Sequence, residues 1–272
     1  MDGHLFLRNK FLKIAVLTMA YKDYPALKRW VQHFGSLFGK SNLYVVSHGA
    51  DKNHADIALG CNILSLPRDN MKRFDFVRAT KLANIRRRIQ SNYDIVFQVD
   101  ADELLFFDSR YEFKRGDEAV FAIGMNVYPE GGRFSGHFSK AVATWGKNTL
   151  RRHGVQFQNE HCYVPEVARG LYLVHTKYFD VDELVATNAV RKEITNRFED
   201  SVSALTWKNP TKMTLRKFAE FEDLPWGEWD EEADRLFKYI ANNPRHIPDS
   251  RIVAAPHLES DKRVKLPTWI SF

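Results

Sequence analysis

Over roughly the first hundred positions, apolar residues switch between short continuous runs and a three-to-four spacing, which predicts strands and helices in alternation. Leu12 to Thr18 (LKIAVLT) is a β-rich run of the kind found in a strand covered on both faces of a parallel sheet. Pro25 suits the first turn of a helix, and Leu27, Trp30, Val31, Phe34, Leu37 and Phe38 then recur on one face up to Gly39. Leu43 to Ser47 predicts a second strand opening into the polar turn His48-Gly49-Ala50-Asp51, and Asn62 to Leu66 a third, closed by Pro67. A helical pattern runs from Phe74 to Gln90, and a fourth strand, Asp94 to Val99, delivers Asp100 at its end. Such alternation implies βαβ units with right-handed crossovers, hence an α/β fold with a mainly parallel sheet and helices on both faces. Further strands are predicted at Ala119 to Val127 and Leu171 to Phe179, and the glycine-rich, charged stretch from Gly131 to Gly154 reads as loops. Beyond Phe179 the pattern turns helical, broken at Pro210 and Pro225. The chain is thus expected to divide into a sheet-bearing unit, residues 1–180, and a helical C-terminal extension, residues 181–272, packed on it.

With 272 residues, 44% of them hydrophobic, the chain can bury a full core. Its net charge of +6 suits an anionic partner. Tight basic runs occur only at Arg86-Arg87-Arg88 and Arg151-Arg152, without interleaved aromatics, which argues against nucleic acid. Peripheral attachment to the inner face of a membrane stays open on the same charge. The apolar stretch Phe11 to Thr18 is too short to span a bilayer and no small-residue cleavage site follows it, so a cytoplasmic protein is expected. Cys61 and Cys162 make neither a metal-ligand spacing nor a disulfide framework.

Candidate chemistry concentrates at Val99-Asp100-Ala101-Asp102-Glu103, where an apolar strand ends in three carboxylates within four residues. Such a cluster needs a counterion, and a divalent Mg²⁺ or Mn²⁺ would neutralise it while also binding a diphosphate. A solvated acidic turn is the alternative. Arg78 and Lys81 lie three apart on the preceding helix, so they share a face and suit a diphosphate, Asp100 or plain solvent.

From Leu12 to about Tyr178 the chain resembles the family-2-type glycosyltransferases, in the branch whose acidic motif is written Asp-x-Asp-Glu. The resemblance rests on the first strand with Tyr24 to Phe34 (YPALKRWVQHF), on Phe97-Gln-Val-Asp-Ala-Asp-Glu-Leu-Leu105, and on Leu173-Val-His175-Thr-Lys-Tyr178. It implies a GT-A fold and a transfer of a sugar from a nucleotide diphosphate sugar, a uridine one by expectation. The acceptor would be a hydroxyl of a glycan, a glycolipid or a polysaccharide precursor. It further implies that Asp100 lies near the ribose and metal, that Asp102 ligates the metal, and that His175 reaches the same metal from another strand. Read without the resemblance, His175 in an apolar strand is more simply a core histidine bonded to a backbone carbonyl. Asp51 resembles the acidic residue that contacts the base, with Thr18 beside it; turn geometry alone also explains an aspartate there. Lys140 resembles a lysine of the same branch, and His153 and His161 fall on the acceptor side. An inverting transfer needs a carboxylate to take the acceptor's proton, and Glu160, ahead of Glu166, is the candidate; a retaining enzyme would need neither. Two other classes compete: a phosphate-handling hydrolase of the haloacid-dehalogenase type, whose Asp-x-Asp strand usually comes first rather than fourth, and a non-catalytic nucleotide-sugar-binding protein.

Overall fold

The computed structural model describes residues 12–68, 74–113, 119–158, 165–197 and 210–272. The first of its sheets has four parallel strands in the order β3-β2-β1-β4: β1 (Ile14–Ala20), β2 (Leu43–His48), β3 (Asn62–Leu66) and β4 (Ile95–Gln98). Every residue of β1 is buried, as the continuous apolar run requires. Its alternate side chains enter two cores. Ile14, Val16 and Ala20 pack with Leu27, Trp30 and Phe34 of α1 (Tyr24–Phe38), while Ala15, Leu17 and Met19 pack with Leu82 and Ile89 of α3 (Phe74–Ile89). Pro25 opens α1, and Gly39 ends it at φ 81°, a backbone geometry that favours glycine. Between β2 and β3 lies the short α2 (Lys52–Ile57). The chain is therefore α/β with a parallel sheet covered by helices on both faces.

Past β4 the topology departs from a mainly parallel sheet. β5 (Glu103–Phe107) runs antiparallel to β11 (Glu166–His175), which lies parallel to β6 (Ala119–Tyr128). β7 (Gly131–Phe134) and β8 (Lys140–Thr144) both pair antiparallel with β6. Together with β12 (Trp226–Gly227) and β15 (Arg263–Val264) these form a mixed seven-stranded sheet. A third sheet joins β9 (Thr149–Arg151) and β10 (Gly154–Gln156) to β14 (Ile252–Ala254) and β13 (Arg245–Ile247). Residues 131–154 are thus largely strands where loops were expected. Their glycines serve close approach: a Cβ on Gly131 would strike the Val264 carbonyl, and one on Gly154 the backbone at Val253.

The C-terminal region also differs from a purely helical extension. It contributes α4 (Val181–Arg197), α5 (Pro210–Glu222) and α6 (Trp229–Asn242), yet β12, β14 and β15 add edges to sheets built by the first 180 residues. Tyr128 on β6 stacks on Tyr178 at 5.2 Å and on Phe221 of α5 at 4.0 Å, fastening the two regions together.

Candidate active site

The acidic motif occupies the turn by which the chain passes from β4 in the first sheet to β5 in the second. The Val99 amide donates to the Leu17 carbonyl of β1, and the Thr176 amide donates to the Asp102 carbonyl at 2.8 Å, so the turn is held from both sides. Strand register sets Glu103, His175 and Asn126 side by side across β5, β11 and β6. A cleft of about 290 Å³ opens over this row at the carboxyl end of the parallel sheet.

The three carboxylates have separate environments. Asp100 is ion-paired through one oxygen to Arg78 of α3 and through the other to Lys140 of β8, at 3.3 Å. Lys140 also pairs with Glu103 at 2.7 Å, both side chains being more than nine-tenths buried, and the other hydrogen bond to Glu103 comes from the Asp100 amide at 2.8 Å. Burial pushes the Glu103 carboxyl up against the pull of Lys140, whereas Asp100 is held far below the ordinary range by Arg78 and Lys140 against an opposing burial effect. Arg86, fully buried, donates to the Asn148 carbonyl at 2.6 Å and to that of Thr144, which ties α3, carrying Arg78, to β8, carrying Lys140.

Asp102 faces His175 instead, its Oδ2 3.2 Å from Nε2, and Arg191 of α4 stands 3.7 Å from the same oxygen. Burial raises the Asp102 carboxyl, but His175 and Arg191 more than reverse this and hold it low. His175 Nδ1 lies 2.9 Å from Asn126 Oδ1, and Phe138 stacks on the imidazole at 4.8 Å. An amide oxygen accepts only a proton-bearing Nδ1, so Nε2 presents either a second proton or a lone pair toward Asp102. A lone pair and a carboxylate oxygen aimed at each other are a donor set for a cation. Among the described residues no group of three or more His, Cys, Asp or Glu side chains converges on one point. Asp102 and His175 are two potential donors, and a metal ion held by them would need its other ligands from outside the described side chains.

Other residues fall outside this arrangement. Asp51 caps α2 through the Asn53 amide and accepts from the Tyr24 hydroxyl at 2.7 Å; neither it, buried Thr18 nor Lys81 lines the cleft. Glu160, His161 and Cys162 lie outside the described residues, and Glu166 is exposed at the far end of β11. His153 does line the cleft, its ring 4.3 Å from that of His137; burial pushes these imidazoles down, to about 3 and about 4 respectively, so both are neutral.

Asn126, Asp23 and Lys177 were given no role by sequence reasoning; Asp23 and Lys177 line the cleft, and Asn126 is buried behind His175. Asn126 is the one uncharged amide in the wholly buried run AVFAIGMNVY, and a lone polar group in such a strand is the signal that would have found it. Asp23 precedes α1 without capping it; burial, then Asp102, raises its carboxyl to about 6. Lys177, just beyond His175, is pulled down to about 8 by burial and then by Arg191.

No known protein family's sequence profile matches the chain. No curated protein matches it either. Among solved structures, the crystal structure of mannose-1-phosphate geranyltransferase from Thermus thermophilus is similar over 73% of this chain and 68% of its own, with 11% identity and a TM-score of 0.26. A likeness of that degree carries neither fold nor activity across, and no helix among the described residues is long and apolar enough to cross a membrane.

Proposed function

We propose that the chain is a metal-dependent glycosyltransferase of the GT-A type, moving a sugar from a uridine diphosphate sugar to an acceptor hydroxyl. The observation that carries this reading is the partition of the acidic turn. Asp100 and Glu103 are neutralised inside the protein by Arg78 and Lys140, whereas Asp102 is turned toward His175 at 3.2 Å on the wall of a cleft. Asp102 and His175 would hold Mn²⁺ or Mg²⁺, which when bound supplies Lewis acidity to the departing diphosphate. Asn126 orients the imidazole, and Thr176 fixes the Asp102 backbone through its amide and hydroxyl. At the other end of the cleft the Arg68 guanidinium lies 3.3 Å over the Tyr21 ring, a flat cationic surface suited to a nucleoside. Asp23, which lines the cleft, is a carboxyl suited to take the acceptor's proton.

Thermal unfolding against nucleotides, with and without Mn²⁺, tests the reading by mass action. UDP is expected to raise the melting temperature only when Mn²⁺ is present, and Asp102→Ala is expected to remove the shift and metal-dependent turnover while keeping the secondary-structure signal. A shift of equal size without metal, or none with any nucleotide, overturns it. Hydrolysis of phosphomonoesters by the purified protein would favour the dehalogenase-type alternative.

A further inference from the structure

The cations of the cleft fall into two groups. Arg78 and Lys140 are consumed by Asp100 and Glu103. Lys177 and Arg191 stand on the opposite side of Asp102, where they line both the main cleft and a small cavity of about 20 Å³ beside it. Arg191 is ion-paired with Asp102 at 3.7 Å. Lys177 makes no ion pair among the described residues; its ammonium lies 5.0 Å from the Tyr178 ring centroid. The same cavity is lined by Asp23, Asp102, Glu183 and Arg29; Glu183 pairs with Arg29 and Asp102 with Arg191, so Lys177 is the cation there without an ion pair among the described residues. A half-buried ammonium in that position favours an anion from outside.

Charge balance across the cleft points the same way. Among the described residues that line it, seven side chains are cationic (Lys22, Arg68, Arg78, Lys140, Arg152, Lys177, Arg191) and five are carboxylic (Asp23, Asp75, Asp100, Asp102, Glu103), a surplus of two. A divalent ion at Asp102 and His175 and the diphosphate it binds cancel one another, one negative charge on each phosphate, so the surplus survives donor binding.

We propose that the substrate carries a further anionic group, a carboxylate or phosphate on its sugar part, which Lys177 and Arg191 seat beside Asp102. This rests on the transferase reading and extends it to substrate class. The group belongs either to the acceptor or to the sugar of the donor, and matched pairs of ligands distinguish these sources.

Isothermal titration of the protein with UDP and Mn²⁺ present would compare glucuronate with glucose, which differ by the carboxylate, for the acceptor. UDP-glucuronate against UDP-glucose, with Mn²⁺ alone, does so for the donor. One buried charge-assisted hydrogen bond predicts about 10- to 100-fold tighter binding of the anionic member of one pair. Lys177→Met, close in volume, is expected to bring that ratio to near unity, and Lys177→Arg to restore most of it. The proposal falls if neither pair shows a preference or if the preference survives Lys177→Met. It falls equally if Lys177→Met weakens UDP and Mn²⁺ binding as much as it lowers the ratio, because Lys177 would then serve the diphosphate. Should UDP and Mn²⁺ fail to bind the unaltered protein, the transferase reading falls, and glucuronate against glucose titrated alone still decides the seat.

Discussion

Replacing Lys140 by methionine should expose how the acidic turn is kept folded. Lys140 and Glu103 are 8% and 6% exposed in their side chains and 2.7 Å apart. Without the ammonium, among the described residues the Glu103 carboxylate keeps the Asp100 amide as its partner, and the Asp100 carboxylate keeps Arg78. Breaking a buried pair by removing one member costs about 3–5 kcal/mol. The reciprocal change, Glu103→Gln, should cost less, because Lys140 retains Asp100 at 3.3 Å and the glutamine oxygen can still accept the Asp100 amide. Denaturant unfolding of the parent, both single variants and the double variant gives the coupling, expected at about 1–3 kcal/mol for groups in direct contact. The pH dependence carries a sign. Burial raises the folded Glu103 carboxyl above its unfolded value of 4.5, so the folded state binds the proton more tightly and this group lowers stability as pH rises above 4.5. Loss of Lys140 widens that window upward, so the Lys140→Met penalty should be largest at pH 7 and shrink toward pH 5. A penalty under about 1 kcal/mol at pH 7, or one that grows on acidification, would refute the reasoning.

Three further outcomes are expected. Asn126→Leu removes the acceptor that orients His175 and should weaken Mn²⁺ binding in the presence of UDP by about 10- to 100-fold, read by calorimetry; unchanged affinity would return His175 to a purely structural role. Asp23→Asn removes a carboxyl raised from 3.8 to about 6 and loses no helix cap, so it should stabilise the protein by about 1–3 kcal/mol at pH 7 and flatten the fall in stability between those pH values. Gly124→Ala drives a Cβ into the Phe138–Ser139 backbone and should cost about 1–3 kcal/mol in denaturant unfolding; because Phe138 stacks on His175, Mn²⁺ affinity should fall with it.

The first half of the fold was legible because its signals are local. Pro25, Gly39 and the Leu27-to-Phe34 stripe specify α1 without reference to the rest of the chain, and the run from Ile14 declares a doubly covered strand. The later sheets were not legible, because pieces such as Gly131–Phe134 and Arg263–Val264 are too short to show a period and pair across more than a hundred residues. Glycine misled there: at Gly131 and Gly154 it admits a neighbouring strand rather than marking a loop. The sequence also showed where charge would gather, at Asp100 to Glu103, but not how it would be divided. That division depends on Lys140 and Asn126, which only tertiary pairing through β6 and β8 brings near. The same distance effect explains Asp51: its turn was foreseen, while the cap on α2 and the bond from Tyr24 occupy it away from the cleft.

Among the described residues the chain leaves its parallel sheet for the mixed one at a single turn, and that turn is the acidic motif. Val99 anchors it to β1 and Asp102 anchors it to the end of β11, two strands that share no hydrogen bond. Anything gripped there straddles the seam between the two sheets, which Arg86 also bridges by its bonds to the Thr144 and Asn148 carbonyls. Occupancy should therefore slow amide hydrogen exchange in β1 and β11 together, so that filling one small cleft is felt as a clamp on the whole architecture.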